Sequence, residues 1–286
     1  MKQNVGKIFK TFLLVCLAIS LNSAAYGQDE EAEDRIGRPP AIGFYAYPPR
    51  WLVDMPTAGT LPRASYDIAI RLYSQGGALG LVDIGLSSRF QLGISYGGEG
   101  IVSNTSPRWN PKIEFTLKLR VIDEIEYFPG VTVGFTSQGF GPWNDQLKRY
   151  AFKSRGFFAV ASRSFYFYTW TAGWHAGLNY SLESDIDEDG DINFFVGFDA
   201  TFRYNLGLTG EYDLAINDDK SSLPDGSTNY YGGKGRGYFN LSLRWLFHDN
   251  LELEAILKDL FVNRKAPPGK SITFTREVRI TYIEPF

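Results

Sequence analysis

The chain has 286 residues, a formal net charge of −3, 16% aromatic residues, 30 glycines and one cysteine. This size and composition suit one large all-β domain, and the balanced charge argues against a nucleic-acid-binding protein. Beyond the N-terminal leader, no apolar run approaches the roughly 20 residues of a membrane-spanning helix.

The leader has the features of a secretory signal peptide. Lysines precede a short apolar core, and the small residues Ala25 and Gly27 follow it. We predict a signal peptide over residues 1–27, cut before Gln28. A membrane anchor is the alternative, which the short core disfavours. Cys16 lies inside this core, so the predicted mature chain has no cysteine, which argues against a disulfide-stapled secreted module.

Residues 28–62 begin with an acidic run and become rich in proline, glycine and aromatic residues. Proline fixes the backbone and removes a hydrogen-bond donor, so this part cannot be an interior strand. We predict an acidic, then Pro-rich periplasmic lead-in that folds against or into the mouth of the domain that follows.

From residue 63 onward, apolar and polar residues alternate with a period of two. In the clearest segment, Ile113, Phe115 and Leu117 alternate with Glu114 and Thr116. Successive side chains of a strand point to opposite faces, so the pattern predicts amphipathic strands. About twelve such segments of roughly 9 to 12 residues follow one another, the length that a tilted strand needs to cross a bilayer.

The connections between these segments are sorted by length. Most alternate between short turns and longer loops, and aromatic residues gather at strand ends, as in the girdles of outer-membrane barrels. The short turns lie at residues 87–89, 204–205 and 248–250, and the long loops at 98–111, 139–154, 183–191, 218–235 and 263–270. A soluble sandwich or lectin-like domain is the alternative, but it has no reason to sort its loops in this way.

The last segment ends on an aromatic residue. Ile280, Tyr282 and Phe286 share its apolar parity, and a terminal Phe of this kind resembles the signal that the barrel-assembly machinery reads. An ordinary amphipathic strand is the alternative. Residues 63–286 are thus predicted to form an all-β fold, a transmembrane antiparallel up-and-down β-barrel of about twelve strands. We expect short periplasmic turns, longer exterior loops, both termini in the periplasm, and a location in the outer membrane of a Gram-negative bacterium.

If the apolar parity faces lipid, the polar parity faces the lumen and carries both signs of charge. Buried charges must be paired or wet, so the lumen is either closed by interior salt bridges or open as an aqueous path. Lumen-side glycines such as Gly85 and Gly197 would widen it or admit a plug. The lumen-lining candidates are Asp67, Arg71, Glu114, Lys118, Arg120, His175, Asp199, Arg203, Glu211, Asp213, Arg244, Glu252 and Glu254.

Catalysis finds little support in the sequence. His175 falls on the lumen parity and His248 in a tight turn, and neither has a serine partner that the spacing supports. No nucleophile-elbow motif is present. We predict a non-enzymatic barrel and keep an outer-membrane lipid- or glycan-modifying enzyme as an alternative.

One acidic stretch, DIDEDGDIN, matches the first half of a calcium-binding loop. Its alternate oxygen ligands are Asp185, Asp187, Asp189 and Asp191, but Val196 stands where a bidentate Glu belongs. The prediction is a calcium site in an exterior loop, and a solvated acidic loop is the alternative. We expect no other cofactor.

The sequence DMPTAGTLP at residues 54–62, placed before the first strand, resembles the N-terminal part of YjbH-type outer-membrane proteins. LVDIGLSSRFQLGISYGG (residues 81–98) and EFTLKLRVIDE (residues 114–124) are similar to the hairpin and strand that follow in that family. Typical members are much longer. The resemblance implies a part in exopolysaccharide production and export, and it carries over no catalytic residues.

The expected function is therefore a non-enzymatic barrel that supports envelope or exopolysaccharide transport, with a closed structural barrel as the alternative. The expected partners are outer-membrane lipid and lipopolysaccharide, the barrel-assembly machinery and a polysaccharide. No nucleic acid is expected among them.

Overall fold

The computed structural model describes residues 49–202, 205–248, 250–266 and 268–286. The predicted signal peptide, residues 28–48 and the lumen-lining candidate Arg203 lie outside the described residues. Within these ranges, no helix has the length and apolar character needed to span a membrane.

The described residues form fifteen strands joined by turns and loops. Their bounds are β1 Ser65–Tyr73, β2 Gly77–Ser87, β3 Phe90–Glu99, β4 Arg108–Trp109, β5 Glu114–Ile122, β6 Gly130–Thr136, β7 Phe140–Asn144, β8 Arg149–Phe152, β9 Gly156–Tyr166, β10 Trp170–Tyr180, β11 Asn193–Phe202, β12 Leu206–Asp213, β13 Tyr238–His248, β14 Leu251–Lys258 and β15 Thr275–Pro285.

Twelve of these strands form one closed antiparallel barrel. Its order is β1, β2, β3, β5, β6, and then β9 to β15, and β15 pairs back with β1 along eight residue pairs from Ser65↔Pro285 to Leu72↔Val278. The short β4 extends one end of β3, and β7 pairs only with β8. Closure removes the free strand edges that lipid could not satisfy. The predicted twelve-stranded transmembrane barrel is confirmed.

The two ends of the barrel differ as predicted. At one end, which we call the turn end, β1 begins, β15 finishes, and the connections between strands are short. At the opposite end, which we call the loop end, all connections except that from β1 to β2 are long.

The two faces of the wall also differ. In β1, Ile68 and Ile70 are 45% and 52% exposed on the exterior, whereas Asp67 and Arg71 are buried on the lumen side. Other strands repeat this alternation. An apolar exterior and a polar interior are what a lipid-facing wall with a hydrophilic lumen requires.

In strand β9 polar and apolar residues do not alternate regularly, so the sequence leaves its inward and outward faces ambiguous. Its apolar side chains Phe158 and Val160 face inward and are buried, although neighbouring strands place polar residues there. These two side chains pack against Leu52 and Met55, which precede the barrel in the chain. The ambiguity thus has a physical cause, because this part of the lumen wall faces protein instead of water.

The connection from β6 to β9 was expected to be a plain exterior loop, but it contains the β7–β8 hairpin. The hairpin folds over the lumen at the loop end, so we call it the loop-end hairpin. Its Phe140 and Phe152 are buried and cluster with Leu79 of β2 and Tyr238 of β13. The sequence concealed this hairpin because its strands are short and do not alternate regularly.

Candidate functional site

The lumen is filled by residues 49–62, which we call the plug. Its side chains are almost completely buried, with Leu52 and Val53 at 0% exposure. Trp51 pairs with Pro56, and the Leu52 amide donates to the Met55 carbonyl over 2.8 Å. The plug is therefore a tight hairpin that points its tip along the lumen.

The plug reaches far beyond the barrel mouth. Pro62 precedes β1, so the plug leaves the lumen at the turn end, yet Asp54 at its tip pairs with Lys258, the last residue of β14 at the loop end. The sequence led us to expect a lead-in at or in the mouth. The structure has it running through most of the height of the barrel.

Glu211 of β12 holds the tip of the plug by its backbone. The amides of Val53, Asp54 and Met55 all donate to its carboxylate, with shortest distances of 3.0, 2.9 and 2.9 Å. Asn240 donates to the same carboxylate over 2.7 Å. Successive amides that converge on one anion form a nest, which holds a negative charge through main-chain dipoles.

Two arginines hold the carbonyls on the other side of the tip. Arg244 donates through Nη2 to the carbonyls of Trp51 and Leu52 over 2.6 and 2.7 Å. Arg279 donates to the Leu52 carbonyl over 3.1 Å. Both guanidinium groups also pair with Glu254, at 3.2 Å for Arg244 Nε and 2.6 Å for Arg279 Nε. The hydrogen-bond donors of these arginines are therefore shared between the Glu254 carboxylate and the plug carbonyls.

The second limb of the plug is held in the same manner. The Lys118 ammonium donates to the carbonyls of Arg50 and Gly59 over 2.7 and 2.6 Å. Thr132 donates to the Ala58 carbonyl over 2.8 Å. The wall thus recognises mainly the backbone of the plug, with charge-assisted hydrogen bonds that are stronger than neutral ones.

An apolar cluster and a glycine complete this contact. Leu52 and Met55 pack against Phe195 of β11 and against the buried apolar side chains of β9. A Cβ atom built on Gly197 would lie 2.3 Å from Leu52 Cδ1 and 2.8 Å from the Gly210 carbonyl oxygen of β12, so glycine makes room here for the plug and for the neighbouring strand. This fits the expectation that lumen glycines could admit a plug.

The tip side chain of the plug, Asp54, lies between two buried cations. Its Oδ1 is 2.8 Å from Arg71 Nη1, and its Oδ2 pairs with Lys258. Arg71 also pairs with Glu277 over 2.6 Å. Burial raises the pKa of the Asp54 carboxyl, but Lys258 and Arg71 lower that pKa more strongly, so Asp54 stays ionised.

The loop-end hairpin covers the same cations. The Lys258 ammonium lies 3.8 Å from the ring centroid of Phe152, and the Arg71 guanidinium lies 4.4 Å from that of Phe140. Both contacts are cation–π interactions. Arg71 and Lys258 therefore form one layer across the lumen, with the plug on the turn side and two aromatic rings on the loop side.

His175 has a serine partner after all, which corrects the sequence analysis. Its Nδ1 is 2.7 Å from Ser162 Oγ on the neighbouring strand, and its Nε2 is 2.8 Å from Asp199 Oδ1. The same Ser162 oxygen accepts the amide of Ala58 of the plug over 2.8 Å. The hydrogen-bonded series Ser162–His175–Asp199, which we call the relay, positions Ser162 Oγ to accept the Ala58 amide, and Ala58 covers the serine.

A cavity of about 80 Å³ remains between the plug and the wall. Trp51 and Val53 of the plug border it, together with Asp83, Glu252 and Arg279 of the wall. This volume accommodates on the order of five water molecules.

The predicted lumen residues divide by what they contact. Those that reach the plug directly, or through a plug side chain or an ion-pair partner, are Asp67, Arg71, Lys118, Arg120, Glu211, Arg244 and Glu254. Glu114 and Asp213 instead bond Tyr150 of the loop-end hairpin and the adjoining Arg155. His175 and Asp199 form the relay, and Glu252 borders the cavity.

Several contacting residues were not among the candidates. Glu277 and Arg279 lie on the polar parity of β15, so alternation alone could have added them. Asp54 and Arg149 lie in segments without a strand pattern, and no periodic signal identifies them.

The acidic stretch predicted to bind calcium does not converge on one point. Asp185 and Asp191 are exposed, whereas Asp187 and Asp189 are buried. Asp187 pairs with Arg149 and with Lys153, each over 2.9 Å. Burial raises its pKa, but Lys153 and Arg149 lower it overall. Among the described residues, no group of three or more His, Cys, Asp or Glu side chains could hold a metal ion, and calcium binding stays a prediction.

The residues of the predicted assembly signal lie on the outside of the barrel. Ile280 and Phe286 are 42% and 78% exposed, and Tyr282 is half-buried. The Phe286 ring lies 5.2 Å from that of Tyr66 on β1. The end of the chain thus closes the exterior seam between the first and last strands.

Comparison with known proteins finds no relative by sequence. No family model matches the chain, and no curated protein matches it. Among solved structures, a KdgM porin has a TM-score of 0.43 at 9% identity and covers 78% of this chain and 99% of its own. A NanC porin has a TM-score of 0.41 at 9% identity and covers 77% of this chain and 99% of its own. The outer membrane protein Omp33 of Acinetobacter baumannii has a TM-score of 0.41 at 6% identity and covers 78% of this chain and 97% of its own. Similarity at this level concerns the barrel fold alone.

Proposed function

We propose that this protein is a non-enzymatic outer-membrane channel that its own N-terminal segment holds closed, and that it conducts a polar solute when this segment moves. In this proposal the turn end faces the periplasm and the loop end faces the exterior. The observation that carries the proposal is the main-chain clamp on the plug by the charged groups of the lumen wall.

The nature of these contacts supports a gate. Carbonyl and amide groups of the plug can exchange their wall partners for water when the plug withdraws. Withdrawal exposes apolar surface to water mainly at the cluster of Leu52 and Met55. The lumen that remains would be lined by Lys118, Glu211 and Arg244, the kind of surface that a hydrated solute needs. A polysaccharide is the solute we favour, in keeping with the resemblance of the plug sequence to the YjbH type.

A second candidate function is a closed structural barrel of the envelope. The buried ion pairs of Arg71 with Asp54 and Glu277, and of Glu254 with two arginines, favour it, because such networks rigidify a core. The two functions differ in one measurable property, which is whether the plug can leave.

A disulfide lock tests the difference. Ala58 Cβ lies 3.6 Å from a Cβ built on Gly130, within the range for a disulfide, and the predicted mature chain has no other cysteine. We would record single-channel currents of the Ala58→Cys/Gly130→Cys barrel in a planar bilayer, oxidised and then reduced. Ala58→Cys alone is the matched control.

The channel proposal expects a silent oxidised barrel, openings after reduction, and no effect of reductant on the control. An acidic oligosaccharide should then block the openings. Equal currents in both redox states would mean that ions bypass the plug. A folded variant that lacks residues 49–62 and still conducts nothing would favour the closed structural barrel.

A further inference from the structure

The two lumen cations Arg71 and Lys258, near the loop end, are neutralised only while the plug is in place. Arg71 and Lys258 carry two positive charges in this layer, and Glu277 and Asp54 carry two negative ones. Of these four groups, three belong to the wall and Asp54 alone belongs to the plug. Withdrawal of the plug would leave one buried positive charge without a partner, and such a charge is costly.

The surroundings keep water from replacing Asp54 freely. Phe140 and Phe152 cover the cations from the loop side, and both rings belong to a buried apolar cluster. The nearby Arg155 adds positive potential at Asp54, although it is itself paired with Asp213. An anion is therefore the natural replacement for the carboxylate of the plug.

The shape of the site selects the class of anion. Each oxygen of the Asp54 carboxylate meets a different cation, Oδ1 with Arg71 and Oδ2 with Lys258. A second carboxylate, Glu277, occupies the rest of the Arg71 fork through Nε and Nη2, both at 2.6 Å. The open position thus fits one planar group with two oxygens.

We propose that Arg71 and Lys258 form an anion site that Asp54 occupies at rest, and that a carboxylate-bearing solute which replaces Asp54 releases the plug. This inference rests on the proposed gate, and it names a carboxylate as the ligand that opens the gate. A ligand shifts an equilibrium only through its differential affinity for the two states, and this site is free only when the plug has left. Release and binding are therefore coupled.

Plug release can be measured without any current. Ala58 is buried, so a single Ala58→Cys reports release through its rate of reaction with a maleimide. We would titrate the full mature chain in detergent with sodium glucuronate, and with glucose in sodium chloride of the same ionic strength. Glucuronate should raise the rate at least about tenfold and then saturate. Glucose with sodium chloride should not.

Two variants in the same background complete the test. Asp54→Asn should react fast without any ligand and respond little to glucuronate, because the plug has already lost its hold on the site. Lys258→Met should lose the response to glucuronate, because one cation of the site is gone. Heat-modifiable gel mobility verifies folding, and Asp54→Ser replaces Asp54→Asn if that variant does not fold.

The outcomes separate this inference from the channel proposal. An unchanged rate with glucuronate in the parent would overturn it, and so would an Asp54→Asn barrel that reacts as slowly as the parent. If glucuronate releases the plug but no current follows, the anion site stands and the channel proposal fails.

Discussion

The carboxylate of Glu211 should be the strongest single hold on the plug. It accepts three successive plug amides and one Asn240 amide at 2.7 to 3.0 Å, and it is 1% exposed. Glu211→Gln keeps the shape but removes the charge and one acceptor oxygen. All three plug amides reach Oε2, so a glutamine oxygen placed there keeps them only as neutral hydrogen bonds, and the Asn240 amide loses its acceptor. Charge-assisted hydrogen bonds contribute about 1.5 to 3 kcal/mol each.

The net effect is smaller than the sum of these bonds, because the variant also no longer buries a charge. We expect the plugged state to lose about 2 to 4 kcal/mol, which corresponds to a rise in plug release of about 30-fold to about 1,000-fold. Maleimide reaction of a single Ala58→Cys measures this rise. Glu252→Gln is the matched control, since Glu252 borders the cavity without a plug hydrogen bond among the described residues. A Glu211→Gln rate within about threefold of the control would refute the clamp.

Three further results are expected. Gly197→Val should drive the plug out, because its side chain would overlap Leu52, and the same maleimide assay measures this. Burial raises the pKa of Glu183 from 4.5 to about 7. Since burial disfavours its ionised form, the loop end should be more stable at pH 5 than at pH 8 by about 2 to 3 kcal/mol. The Ser154 amide donates to Glu183 Oε2 over 2.9 Å. Its protection from hydrogen exchange, corrected for intrinsic rates, should show this in the parent but not in Glu183→Gln. The predicted calcium site implies that calcium slows proteolysis of residues 183–191, and cleavage that calcium leaves unchanged would show that Asp187 keeps its cationic partners instead.

Strict alternation made the barrel predictable from the sequence. Arg71 between Ile70 and Leu72 can meet the needs of both lipid and lumen only in a strand, and closure then follows from the need to pair every edge. Sorting the connections by length gave the two ends as well. These properties are local, so a single sequence displays them.

The occupied lumen was beyond this kind of analysis. The wall holds the plug mainly by main-chain groups, and amides and carbonyls are the same in every residue, so residues 49–62 carry almost no sign of their partners. Besides the lumen glycines, the apolar residues Phe158 and Val160 on the lumen side of β9 indicate that this wall faces protein. The Ser162–His175 contact was missed for the same reason, because the parity of β9 could not be assigned.

The two interpretations of the lumen charges, interior salt bridges or an aqueous path, need not exclude each other. Arg244 and Arg279 share Glu254 whether or not the plug is present, so withdrawal leaves them paired and costs only their bonds to the carbonyls of Trp51, Leu52 and Val53. Asp54 differs, because it is an ion-pair partner that leaves with the plug. The wall around Glu254 therefore keeps its ion pairs when the plug leaves, whereas the layer of Arg71 and Lys258 loses one, and that layer is where an incoming anion can decide between the closed and the open barrel.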